Sequence, residues 1–275
     1  MSNPNLYCTF LDIINQLADV STERINFSQL SNIIVRGSNQ ISSYILQADS
    51  IVRLYLYEAY PTISSWETTP WATSPIVPID PSDGTSKNVG TARLLSTTTA
   101  TTATTGVWLL ECTKAGSKTV GEYSIYSFNT GNQGTTKSFN ADVISTDGLV
   151  TIPTANWVDG SAAQAGFTAS VGDQWMFSTI NVKYTVWTLS VNLATAITLN
   201  SIYLGQSPVE SPYGAMFFNR AMMLLEKLRK KEISIDVGLQ EFNFLLPTQI
   251  KYDINEYGGD DTKTFTDTYE NYRSS

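Results

Sequence analysis

Apolar positions recur at three- and four-residue spacing near both ends of the chain and alternate through a long stretch between them. In "TFLDIINQLADV" Thr9 precedes Ile13, Ile14 and Leu17, with Asp12 three residues after it. That is the signature of a capped short helix. Asn26 and Gln29 repeat the capping spacing, and Leu30, Ile34, Ile41, Tyr44, Ala48, Ile51 and Tyr55 follow in one stripe. Gly37 lies on that stripe without changing its phase, so the pattern predicts one helix of about 33 residues, roughly 50 Å long. Pro61 ends it. Farther on, Ser211 is placed to cap and Pro212 to open a helix whose stripe is Phe217, Ala221, Leu224 and Leu228. Lys227, Arg229, Lys230 and Lys231 suit the negative end of its dipole.

Between these helices the period changes. Residues 62–105 begin proline-rich and continue as "STTTATTATTG", which predicts a linker or arm, with an edge strand or lead-in at its threonines. From 106 to 205 come short β-prone runs such as "GVWLLECT", "GEYSIYSF", "DGLVTIP" and "GDQWMFSTI", separated by turn signals. "NVKYTVWTLSVN" and "ITLNSIYL" read as further strands, since Val182, Tyr184 and Val186 alternate with Lys183, Thr185 and Trp187. Seven or so strands at this spacing predict an antiparallel β-sandwich. The fold expected is therefore α+β: helical segments 1–61 and 211–238, a linker at 62–105, a β-sandwich at 106–205 and an extended arm at 239–275.

Charge and chemistry narrow the function. The net charge is −8, with acidic residues in excess along the whole chain, so no segment offers the basic footprint that phosphate neutralisation requires. The chain contains no histidine. This removes Ser-His-Asp and Cys-His catalysis and histidine-based zinc or iron sites. Cys8 and Cys112 stand far apart and read as reduced thiols, with no metal-ligand spacing. No phosphate-binding glycine loop ending in Lys-Ser/Thr is present. Asp260 and Asp261 form the only carboxylate pair that invites a glycosidase reading, and their Gly and Thr neighbours favour a loop. No enzyme, cofactor or metal is predicted. No leader peptide or membrane span is read, which predicts a protein made in a cytoplasm.

Three stretches carry a resemblance. "YCTFLDI" at 7–13, "ADSIVRLYLYEAYP" at 48–61 and "MLLEKLRKKEISI" near the last helix stand in the order found in head–tail connector (head-completion adaptor) proteins of tailed bacteriophages, which they resemble. Together they lie within about a third of the chain. The resemblance implies a small helical connector-like domain, a long helix plus a C-terminal helix, interrupted by the β-sandwich as an insertion. "GDQWMFS" is similar to a strand common in the β modules that phage virion proteins carry as insertions. Two departures are visible: the family has a further helix between the second and last, for which no helical period is found, and it usually has Gly-Glu where Lys231 and Glu232 stand.

The resemblance further implies a structural function: a homo-oligomeric ring, twelve-fold in the family, in the virion neck between the portal protein and a stopper or tail protein. Double-stranded DNA would pass through as cargo, and assembly would occur in the host cytoplasm. In the arm, Phe242, Phe244, Leu245, Leu246 and Tyr252 are too apolar to leave in water and are the predicted interaction residues, docking on portal or on the chain's own core. The competing reading is a tail-fibre or baseplate module whose β domain grips host-surface glycan through Trp157, Trp175 or Trp187.

Overall fold

The structure, a computed structural model, describes residues 6–21, 38–78, 88–160, 166–203 and 212–236. The chain divides into two compact units, 1–235 and 236–275, and everything described apart from Asp236 belongs to the first.

Helix α1 (Phe10–Ser21) starts where the capping pattern places it. Asp12 Oδ2 accepts from the Thr9 amide at 2.7 Å and from the Thr9 hydroxyl at 2.9 Å. Helix α2 (Ser38–Ala59) is the described part of the long stripe, and residues 22–37 lie outside the described residues. Its buried positions are Ile41, Ile45, Ala48, Asp49, Val52 and Leu56.

A 3₁₀ turn at Ile63–Ser65 leads into the strands. These are β1 (Glu67–Ala72), β2 (Ala92–Leu94), β3 (Thr98–Thr99), β4 (Gly106–Lys114), β5 (Glu122–Ser127), β6 (Gly131–Ser138), β7 (Val143–Ile144), β8 (Val150–Ile152), β9 (Trp157–Asp159) and β10 (Gln174–Val182). The main sheet is antiparallel in the order β1-β10-β4-β5-β6, accompanied by a β2-β9 pair and a β3-β8-β7 sheet. Pro70 sits in β1, an edge strand, where its missing N–H interrupts no ladder.

The alternation read in the β runs holds: Trp108, Leu110 and Cys112 of β4, Tyr123 and Ile125 of β5, and Trp175 and Phe177 of β10 share one core. That core is aromatic. Phe139 and Trp157 ring centroids are 4.7 Å apart, and those of Trp157 and Trp175 are 4.8 Å apart. "GDQWMF" can now be read atom by atom. Gly172 takes φ +91°, which only glycine adopts readily. The Asp173 carboxylate accepts from the amides of Val89, Gly90 and Ser170 at 2.8, 3.1 and 2.8 Å. Trp175 donates Nε1–H to the Ala92 carbonyl at 3.1 Å.

Two helices complete the unit, α3 (Tyr184–Tyr203) and α4 (Pro212–Arg229). The sequence-based fold is overturned here. The chain is not a small connector-like domain of two helices interrupted by an inserted β-sandwich. Among the described residues a multi-stranded antiparallel sheet is a dominant element, and α1 to α4 accompany it. The runs 181–192 and 197–204 are expected as strands, but 181 and 182 end β10 and Tyr184–Tyr203 form α3, residue 204 lying outside the described residues. The reason is burial. Every residue from Leu189 to Ala196 is buried, because α1, α2, α4 and β10 pack around α3. A helix enclosed on all sides needs no polar face, so it shows no amphipathic stripe. Its β-branched residues then imitate a strand. Two of its hydroxyls bond back to the helix's own backbone, Thr198 Oγ1 donating to the Ala194 carbonyl at 2.7 Å and Ser201 Oγ to the Thr198 carbonyl at 2.8 Å. The 62–105 segment also differs from a linker, since it contributes β1, β2 and β3.

The helices and the sheet meet along one seam. Lys183 N–H donates to the Trp66 carbonyl at 2.8 Å, beside the Glu67–Val182 pair. Trp71 donates Nε1–H to Val182 O at 3.0 Å and stacks edge-on against Trp187 at 5.3 Å.

Candidate functional site

The polar groups of the first unit converge where the segment before α1 crosses α2 and α3. Tyr7 and Thr9 flank Cys8, which is fully buried. The Tyr7 amide donates to Asp49 Oδ2 at 3.0 Å. Ser190 of α3 donates its hydroxyl to the other oxygen of Asp49, and its Oγ lies 3.1 Å from Cys8 Sγ. A hydroxyl has one proton, so with the carboxylate taking it, the Cys8 S–H is left to point at the Ser190 oxygen. The Thr9 hydroxyl also meets Ser178 Oγ of β10 at 2.7 Å, and Gln16 donates to Asn192 Oδ1 at 3.2 Å. Arg53 donates Nε–H to the Tyr7 hydroxyl at 2.7 Å, with its guanidinium 5.0 Å from the ring centre.

Burial governs the electrostatics. Desolvation pushes the Asp49 carboxyl up to about 6, against the lowering effects of the Ser190 and Tyr7 hydrogen bonds and of Arg53. Asp12 is raised by burial too, opposed by its bonds from Thr9. The Cys8 thiol is raised well above its usual range by burial, and the neighbouring Asp49 and Asp12 add to this. A thiol held protonated in this way is a poor nucleophile. The cluster therefore binds segments of the chain together.

The residues singled out from sequence fall as follows. Phe242, Phe244, Leu245, Leu246 and Tyr252 lie outside the described residues, as do Asp260 and Asp261. Trp157 and Trp175 are core side chains of the β half, so neither presents a face on which a sugar could stack. Trp187 is half-buried against Trp71 and Tyr184. Cys8 and Cys112 are both free thiols, both buried. Of the basic cluster ending α4, Arg229 bonds Glu226 at 2.9 Å and reaches Glu58 of α2 at 3.4 Å. Just beyond it Lys231 has φ +58°, with Glu232 N–H bonded to Lys227 O at 2.9 Å and Lys231 N–H to Leu228 O at 3.0 Å. This is a Schellman helix end, with lysine in the left-handed position that glycine usually takes.

The sequence reading missed Asp49 and Ser190. A signal for Asp49 was present: it falls on the apolar stripe between Ile45, Ala48 and Val52, where a carboxylate must find partners. Ser190 gives none, because the local pattern of α3 predicts strand. A shallow depression lined by Lys114, Thr119, Val120, Gly121, Glu122, Thr136 and Ser138 lies elsewhere, beside the Lys114–Glu122 ion pair at 3.0 Å. Among the described residues no cluster of three metal-ligating side chains occurs, and no helix is long and apolar enough to cross a membrane.

No protein-family model matches the chain, and no curated protein matches it. Among solved structures it is similar to two crystal forms of Xanthomonas campestris FlgL. One is 14% identical, covering 62% of this chain and 46% of FlgL, and the other 15% identical, covering 66% and 55%. Both superpose with a TM-score of 0.24. The chain thus spans about half the length of the solved structures it matches.

Proposed function

We propose that this chain is a virion structural protein, a subunit of a homo-oligomeric ring between the portal protein and a stopper or tail protein of a tailed phage. The observation that carries the reading is the position of α3. The resemblance calls for a helix between the one ending near Pro61 and the last one, and α3 stands there in chain order, packed against α1, α2 and α4. Lys231 adds support, because its left-handed conformation does the work of the glycine that the resemblance places in this turn. The acidic balance suits a conduit through which DNA passes without adhering. In this reading the apolar residues Phe242, Phe244, Leu245, Leu246 and Tyr252 dock the chain on portal.

A ring of this kind is built from heterologous contacts that close. Mixing the purified chain with purified portal assemblies and imaging by electron microscopy tests the reading. The expected result is a closed ring seated on portal, twelve-fold as the resemblance implies, while the chain alone is a monomer or small oligomer by light scattering. A stable elongated trimer with no affinity for portal would overturn it and favour the fibre module.

A further inference from the structure

Two open faces of the first unit match each other. The first is on α2, whose exposed residues from Ser43 onward are Ser43, Leu46, Gln47, Ser50, Leu54 and Tyr57, with Glu58 after them. The first six lie within about 100° of the helix circumference. Leu46, Leu54 and Tyr57 are 42%, 74% and 60% exposed. A solvated helix face is normally charged, and this stripe carries no charge until Glu58, which meets Arg229. The Ser50 hydroxyl already donates to the Leu46 carbonyl at 2.7 Å, so covering the stripe leaves that donor satisfied.

The second face is on the main sheet, on the side away from the aromatic core. The register sets Ile76, Met176, Leu109, Tyr126 and Asn132 in one row across the strands. They alternate with the core residues Leu110, Ile125, Trp175 and Phe177 and so face the other way. None of the five is charged. Tyr126 is 45% exposed, and Ile76, Met176 and Leu109 are half-buried. Asn132 Oδ1 accepts from the Gly134 amide at 2.8 Å. On one side the adjoining row is already covered by α1 and the segment before it: Thr9 meets Ser178 at 2.7 Å, and Phe10 packs edge-on against Phe128 at 5.3 Å. This side of the sheet therefore takes one helix of its own chain and leaves the next row open. Beyond that row Glu111 accepts from Gln174 at 3.3 Å.

The two faces agree in length and in charge. Ser43 to Tyr57 spans about 21 Å of helix, and the row crosses four strand spacings, about 19 Å. Copies of a chain with net charge −8 repel one another, which favours a contact whose centre brings no carboxylate from either side. We propose that the α2 stripe of one copy lies along the Ile76–Asn132 row of the next copy, beside that copy's own α1. The proposal rests on the ring reading and gives it a contact between unlike faces, which ring closure needs. Helix on sheet is a common layer packing. A helix about 10 Å wide over this length covers on the order of 200 Å², short of the roughly 800 Å² per partner of a stable interface. Free copies therefore meet only briefly, and portal holds them side by side.

Cysteine cross-linking of the full chain tests the contact, since Cys8 and Cys112 are buried. The helix can lie in either direction along the row, so Leu46→Cys and Leu54→Cys are each mixed with Tyr126→Cys and oxidised with copper phenanthroline, with and without portal. The expected result is a disulfide-linked dimer in one of the two mixtures and in no variant alone, more abundant with portal. Peptide mass spectrometry identifies the joined positions. A dimer of Leu54→Cys by itself, a link from either α2 variant to portal, or no link in either mixture overturns the proposal. A second variant, Leu54→Glu, changes an exposed residue and should keep the urea midpoint while losing ring closure on portal. A ring that closes unchanged with Leu54→Glu also overturns the proposal. If the unaltered chain forms no ring on portal, the ring reading fails, and the link in the portal-free mixture still decides the contact between copies.

Discussion

The β half and the helical half of the first unit close their cores by different means. The β half does it with rings: Trp108, Tyr123, Phe139, Trp157, Trp175 and Phe177 are all buried in one cluster. Edge-to-face geometry dominates there, and each such pair adds roughly 0.5–1.5 kcal/mol beyond area burial. The helical half is closed by aliphatic residues such as Leu11, Leu17, Ile45, Leu56, Leu193 and Leu225, with Asp12, Asp49, Ser190, Asn192, Thr195 and Thr198 buried among them. The first core has no carboxylate among its clustered side chains. The second is conditional on protons, since its carboxylates are held where ionisation is opposed. Stability and responsiveness are therefore separated in space, although one strand–helix run, β10 into α3, belongs to both.

The contrast is most severely tested by removing a ring. Trp175→Ala is expected to cost about 3–5 kcal/mol, by the same amount at pH 5 and pH 8 in urea denaturation. A loss under 1 kcal/mol would mean that the aromatic cluster does not hold the β half. The next effect is the pH slope itself. Burial raises the folded-state carboxyl of Asp49 above its unfolded value, so its contribution is complete below about pH 4 and is lost as pH rises through about 6. The chain should therefore lose about 1.4 kcal/mol between pH 5 and pH 8 from this group, and Asp49→Asn should remove that part of the slope. A slope that survives the substitution would reassign it to Asp12. The smallest effect concerns the end of α4. Lys231→Gly relieves a left-handed residue and should stabilise the helical half by about 1 kcal/mol, read as a raised urea midpoint. No change there would show that the turn is not strained.

How much of this was visible in the chain depended on whether an element keeps a wet face. The capping box of Thr9 and Asp12, the stripe of α2, the opening of α4 at Pro212 and strands β4, β5, β8 and β10 were all legible, because each has a side that meets water or a turn that Gly and Asp announce. α3 has no such side, and its Thr, Val and Ile content pointed to strand. The same blindness hid Ser190, and with it the partner that completes the Asp49 site. Short strands in the 62–105 segment were obscured for another reason: β1 tolerates Pro70 only by lying at an edge, which a local pattern does not reveal.

The central place of α3 has a consequence for synthesis. α1 and α2 leave the ribosome before α3, carrying apolar faces that α3 helps to cover. α3 follows more than a hundred residues later, after every strand, which at 5–20 residues per second is a wait of roughly 6–25 s. During that interval the surfaces of α1 and α2 that pack on α3 in the finished unit are uncovered. The nascent chain then exposes apolar surface that the finished unit buries, so less intact protein is expected from a host short of chaperones.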